Sequence, residues 1–161
     1  MKINYPFKPK SNKKLIPGQF WAIPLHNGMF ACGRVIQVTG EYSAPPTRTF
    51  LAGLMDWIES VPPTSEAIAG SKTLIQGVAH INCIYETGLG CMITGYRPLE
   101  LDSIEPNYFR SQTSYQPEYC KLMKGLEEIR PITKEEWEKC ETLGIWGMDY
   151  IRVLAESKLL S

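Results

Sequence analysis

Residues able to do chemistry are scarce: the 161-residue chain holds two histidines and five cysteines. His26 stands beside Asn27-Gly28, where an exposed turn residue is a simpler reading than one half of a Cys/His nucleophile pair. His80, Cys83 and Cys91 come nearest to a metal-ligand cluster. However, His80 and Cys83 are three apart in a segment that reads as a strand, which sends their side chains to opposite faces. No metal and no cofactor are expected. His80 falls on the wetter face of that strand and reads as a surface or second-layer histidine rather than a general base. The cysteines Cys32, Cys83, Cys91, Cys120 and Cys140 are odd in number and form no C-x-x-C, so free thiols are expected. Cys83 and Cys140 lie on apolar faces as small core residues. Nucleophile-elbow, phosphate-loop and H-E-x-x-H patterns are all missing, and Gly88-Leu89-Gly90 falls at a turn between strands.

Carboxylates offer more. Asp56-Trp57-Ile58-Glu59 and Glu100-Leu101-Asp102-Ser103-Ile104-Glu105 are acid-rich. Paired carboxylates there would suit acid/base work or a hard cation, and a solvated surface is the plainer alternative. Trp57, Tyr96, Tyr108 and Phe109 lie close by in sequence, and aromatics beside carboxylates supply the desolvated anchor and steering charge of a protein interface. A partner-binding face of Asp56, Trp57, Glu59, Tyr96, Glu100, Asp102 and Glu105 is the reading that joins the two observations, with Trp57 open between core and exposed anchor. Residues 41–118 carry nine acids against four basic residues, a net charge of −5. Positive charge collects instead at Lys2, Lys8, Lys10, Lys13 and Lys14, with no acid among the first fourteen residues. Two prolines there complete the pattern of a basic flexible arm over 1–14.

The elements that must position these groups follow from pattern. Asn27-Gly28 between two β-rich runs predicts a hairpin with both turn residues at positive φ. Arg34 shares a face with large apolar groups, so it is either a rim residue or a buried charge with a carboxylate partner. Residues 48–58 read as a strand, with one helical turn at 54–58 as the alternative. Thr64 or Ser65 can cap a short turn closed by Gly70. Alternation over 73–85 predicts a strand, with 91–96 returning as its partner. Pro117 and the spacing of Tyr119, Leu122, Met123 and Leu126 predict an amphipathic helix ending at Pro131. Thr133 and Glu136 predict a capping box, with Ile132 and Trp137 as its hydrophobic staple and Gly144 as the helix stop. Residues 149–160 fit strand or helix. Strands followed by helices make an α+β chain: a mostly antiparallel curved sheet or small barrel with two C-terminal helices. One domain over 15–161 is expected, β-rich over 15–110 with a helical extension over 111–161.

Charge balance narrows the function classes. With 17 basic and 17 acidic residues, the net charge is zero, which disfavours a general nucleic-acid or membrane coat. No stretch reaches the roughly 20 apolar residues of a membrane helix, and no apolar signal core follows the basic start. A soluble cytoplasmic protein is expected.

Certain segments look like a known family. Gly18-Gln19-Phe20-Trp21-Ala22-Ile23-Pro24-Leu25, then Asn27-Gly28, Phe30 and Gly33-Arg34-Val35, resemble the opening of the immunity protein 26 family of bacterial polymorphic toxin systems. Pro62-Pro63-Thr64 and Gly95-Tyr96-Arg97-Pro98-Leu99-Glu100-Leu101-Asp102 resemble its later part, so the likeness spans about residues 15–110. That resemblance implies a mostly β cytoplasmic protein, encoded beside a toxin, which neutralises the toxin by direct binding and has no catalytic residues. An acidic middle suits a cationic cognate toxin, such as a nuclease. A small cytosolic hydrolase using Cys/His and a nucleic-acid-binding β-barrel module are the alternatives.

Overall fold

The structure, a computed structural model, describes residues 2–38, 48–111 and 115–160. Its framework is a five-stranded antiparallel sheet of order β4-β3-β2-β1-β5. The strands are β1 (Gln19–Pro24), β2 (Phe30–Gln37), β3 (Thr49–Glu59), β4 (Thr73–His80) and β5 (Gly95–Tyr96). A smaller sheet of order β8-β7-β6-β9 follows, built from β6 (Tyr108–Arg110), β7 (Lys121–Lys124), β8 (Glu127–Pro131) and β9 (Glu141–Thr142). The helices are α1 (Asn82–Thr87), α2 (Lys134–Lys139) and α3 (Tyr150–Leu159). The α+β class holds, and neither sheet closes into a barrel.

Both faces of the larger sheet are covered, which explains why β1 to β3 read as nearly unbroken apolar runs. Trp21, Ile23, Val35, Phe50 and Leu54 face Ile84 of α1 and Ile151 and Ala155 of α3. On the opposite face Phe20, Ile36, Leu51, Met55 and Trp57 meet Phe109 and Met123 of the second sheet, with Ile68, Leu99 and Ile104 from the loops. Trp21 sits flat over its cross-strand partner Gly33, where a Cβ would lie 2.4 Å from the ring. Only glycine fits there.

The β1–β2 hairpin forms as its sequence predicts, with a different turn. Leu25 N–H donates to Met29 O at 2.9 Å and Gly28 N–H to Leu25 O at 3.1 Å. Of Asn27 and Gly28 only Gly28 has positive φ, at +84°. The loop is therefore the three-residue kind closed by a left-handed glycine, not a two-residue turn with two such positions. Asn27 contributes its side chain instead, accepting from Met29 N–H at 3.0 Å.

Further expectations need correction. The strand predicted over 73–85 ends at His80, and Asn82 onward is α1, so His80 and Cys83 do not share a strand. The returning segment pairs not with β4 but with β1, through Gln19 and Tyr96. The helix predicted from Pro117 is only a short turn followed by the β7–β8 hairpin, pivoting on Gly125 at φ +59°. Leu122 and Met123 pack into different cores on opposite sides of β7, and two adjacent buried residues mimic a helical stripe. Leu54–Ile58 is strand, and 150–159 is helix. The capping box is present, with Glu136 N–H to Thr133 Oγ1 and Thr133 N–H to Glu136 Oε1 both at 3.1 Å. Its helix closes at Cys140, ahead of Gly144.

Gly144 has another use. Val78 N–H donates to Gly144 O and Trp146 N–H to Val78 O, each at 2.8 Å, so the chain passing between the two layers covers the outer edge of β4. Trp146 then lies over Gly77, where a Cβ would come within 2.2 Å of the indole. Residues 2–14 lie against the domain: Phe7 pairs with Ile93, Asn12 Nδ2 donates to Thr49 O at 2.9 Å, and Tyr85 OH donates to Pro9 O.

Candidate functional site

The two conspicuous sequence motifs meet in space around a pair of guanidiniums. Arg34 of β2 is fully buried beneath the loop that follows β5, and it donates from Nε to Gly18 O at 3.1 Å and from Nη2 to Arg97 O. It is therefore a buried charge rather than a rim residue, but its hydrogen-bond partners are carbonyl oxygens and Met55 Sδ rather than the expected carboxylate. Burial lowers its pKa, and the field of Asp102 works against that loss. Arg97 in turn grips Asp102, with Nε to Oδ2 at 2.8 Å and Nη2 to Oδ1 at 3.1 Å. Gly70 N–H donates to the same carboxylate at 2.8 Å, and Lys72 Nζ donates to Asp102 O. The Arg97 hydrogen bonds hold the Asp102 carboxyl below its ordinary range. One carboxylate thus ties the β3–β4 loop to the segment after β5.

The remaining residues of the candidate acidic rim are exposed. Glu100 and Leu101 are on the same short helical turn as Asp102, and both are exposed, Leu101 at 61%. Tyr96, at 39% exposure, stands just before Arg97. Asp56 is exposed, and its backbone N–H reaches Lys72 O at 2.8 Å, which joins it to the same loop. Glu59 is exposed at the end of β3 opposite Phe30, and exposed Glu105 is turned toward Lys124 at 3.7 Å.

Two of the seven residues read as a binding face are inside. Trp57 is 8% exposed, packed in the core between the sheets, with Nε1 donating to Ala67 O at 3.1 Å. Asp102 is 5% exposed and fully engaged as described. The structure therefore leaves Asp56, Glu59, Tyr96, Glu100 and Glu105 exposed and places Trp57 and Asp102 in the scaffold; Asp56 of β3 and Tyr96 of β5 are separated in the sheet by β2 and β1. Sequence reasoning missed Leu101 as an exposed apolar group. The available signal was an apolar residue between two acids that fits neither a strand nor a helical stripe.

The groups able to do covalent chemistry are occupied otherwise. His80 Nδ1 accepts from Asn82 N–H at 3.0 Å, capping the start of α1, and burial followed by the nearby Arg48 lowers its pKa. His26 is an exposed turn residue whose backbone and ring both meet the Glu156 carboxylate of α3. Burial pushes the thiols of Cys32 and Cys83 up to about 12, and raises that of Cys140. Neutral thiols are poor nucleophiles and poor ligands. All five cysteines are unbridged, and among the described residues no group of three His, Cys, Asp or Glu side chains is placed to hold a metal ion. No helix among the described residues is long and apolar enough to cross a membrane.

The family model described as Immunity protein 26 matches residues 16–121, and the chain belongs to that family. The matched part spans the larger sheet, the Arg34–Arg97–Asp102 cluster and the acidic rim, and stops at the first residue of β7. No curated relative and no solved structure matches the chain.

Proposed function

We propose that this protein neutralises a cognate toxin by direct, non-catalytic binding, and that the toxin docks on the acidic rim formed by Asp56, Glu59, Tyr96, Glu100, Leu101 and Glu105. Family membership carries the first half of the reading. The second half rests on the exposure of those residues on a rigid base. Carboxylates at a rim accelerate encounter with a positively charged partner, and a neighbouring apolar group slows its departure. Tyr96 and Leu101 provide that anchor here. The toxin is accordingly basic, as an enzyme acting on nucleic acid would be, and the complex forms in the cytoplasm. Trp57 and Asp102 contribute by holding the rim in shape.

Growth protection is the first test. Cells expressing the toxin encoded beside this protein should survive when it is co-expressed, and the Glu100→Lys/Glu105→Lys variant should protect less while accumulating normally. Full protection by that variant would move the interface elsewhere, first to the surface of residues 117–143.

A further inference from the structure

The amino-terminal segment that the rim does not use has its own chemistry. Lys8, Lys10, Ser11, Lys13 and Lys14 line one surface cleft of about 250 Å³. The backbone that carries these lysines is fixed at several points. Tyr85 OH holds Pro9 O, Arg48 Nη1 holds Lys10 O at 2.8 Å, and buried Asn12 donates to Thr49 O at 2.9 Å. Ser11 caps the turn that follows, accepting from Lys13 N–H at 3.2 Å. Arg48, exposed beside Lys10, adds a fifth positive charge.

These lysines also differ from several in the carboxy-terminal part of the chain. Lys121, Lys124 and Lys139 each have a carboxylate within 4.0 Å. Among the described residues no acidic side chain lies within that distance of Lys8, Lys10, Lys13 or Lys14. Like charges gathered without acids on a fixed backbone repel one another, and an anion of high charge density relieves that repulsion. The cleft adjoins Thr49 at the start of β3, whereas Asp56 and Glu59 stand toward its far end, roughly 20–35 Å away at about 3.3 Å per residue; on the other side of the cleft Lys14 O accepts from Gln19 Nε2 at 2.9 Å, and Gln19 pairs with Tyr96.

We propose that this lysine cleft is a binding site for closely spaced phosphates. Lysine ammonium groups act as rotatable point charges suited to phosphate oxygens, and the cleft is large enough for two or three linked phosphates but not for a folded partner. Those phosphates come either from a free polyphosphate or nucleotide, or from the backbone of a nucleic acid. The site shares no residue with the acidic rim, and it stands or falls separately from toxin binding.

The test is calorimetric titration of the full chain at about 50 mM salt with tripolyphosphate, with a 12-base-pair DNA duplex, and with a hexaglutamate peptide. Tripolyphosphate should bind, and Lys8→Gln/Lys10→Gln/Lys13→Gln/Lys14→Gln should weaken it at least about tenfold, the effect of losing several phosphate contacts. Circular dichroism and the thermal midpoint confirm that the variant is folded; if it is not, the pairs Lys8→Gln/Lys10→Gln and Lys13→Gln/Lys14→Gln replace it. Duplex binding that tripolyphosphate displaces, with a log–log salt slope near −3, identifies the backbone as the source, since each neutralised phosphate contributes about −0.9. Tripolyphosphate binding without duplex binding identifies a free polyphosphate. Equal binding of tripolyphosphate by wild type and variant, no binding of either phosphate probe, or binding of hexaglutamate alone would overturn the proposal.

Discussion

Asp102 and Glu100 are two residues apart in one acidic segment, and the structure gives them opposite roles, so their substitutions should part company. Asp102→Ala removes an acceptor from Gly70 N–H, a loss of about 1 kcal/mol, and two charge-assisted hydrogen bonds from Arg97, together about 2–3 kcal/mol. It also leaves buried Arg34 without the carboxylate that favours its charge. The total, about 3–4 kcal/mol, lies in the range for breaking one side of a buried ion pair. For a domain of this size it corresponds to a fall in the thermal midpoint of about 10 °C. Glu100→Ala removes an exposed carboxylate and should stay within about 0.5 kcal/mol of wild type. Urea unfolding of the two variants measures the contrast. The same carboxyl sets a pH signature. Its pKa is depressed in the folded state, so its stabilisation is complete above the unfolded value of about 3.9 and drains as pH falls through the folded value. Asp102→Asn should therefore flatten the acid limb of the stability curve. Similar stability for the Ala variants at positions 100 and 102 would refute the assignment of Asp102 to the scaffold.

Other consequences are local. Gly28→Val should cost about 1–3 kcal/mol through its positive φ alone, since nothing lies within 4 Å of the added Cβ, and Gly28→Asn should recover most of it in thermal unfolding. Gly33→Ala forces a methyl into the Trp21 ring and should cost about 1–3 kcal/mol or more, with altered near-ultraviolet circular dichroism reporting the displaced indole. Alkylation of native protein at pH 8 should spare Cys32 and Cys83, while unfolded protein should take up five equivalents; rapid labelling of either thiol in the native state would contradict their burial.

The parts of this structure that can be read from sequence are those governed by neighbouring residues. Asn27-Gly28 announces a hairpin because one glycine at positive φ reverses the chain, and Thr133 with Glu136 announces a helix start because the cap is closed within four residues. Failures occur where distant partners decide. Leu122 and Met123 look like a helical stripe because both sides of β7 are covered, a fact fixed by the larger sheet and by the small cluster of Cys120 and Ile132. Ile81 and Cys83 continue the alternation of β4, yet His80 Nδ1 accepts the Asn82 N–H and starts a helix. The candidate site was half legible. Its acids and Tyr96 stand out in composition, but only the fold separates Asp102 from Glu100, since the carboxylate that is buried is the one Arg97 and Gly70 can reach. Trp57 was ambiguous for the same reason, and packing between the sheets resolves it as core.

Association kinetics with the cognate toxin test the central claim most directly. On the proposed rim, Glu100→Lys/Glu105→Lys should slow association about tenfold at low salt and flatten its dependence on ionic strength, and Leu101→Ala should mainly speed dissociation. Both variants should retain the wild-type thermal midpoint within a few degrees, because neither touches the Arg97–Asp102 tie. Unchanged association rate, salt slope and dissociation rate in folded variants would show that the toxin does not dock on this rim.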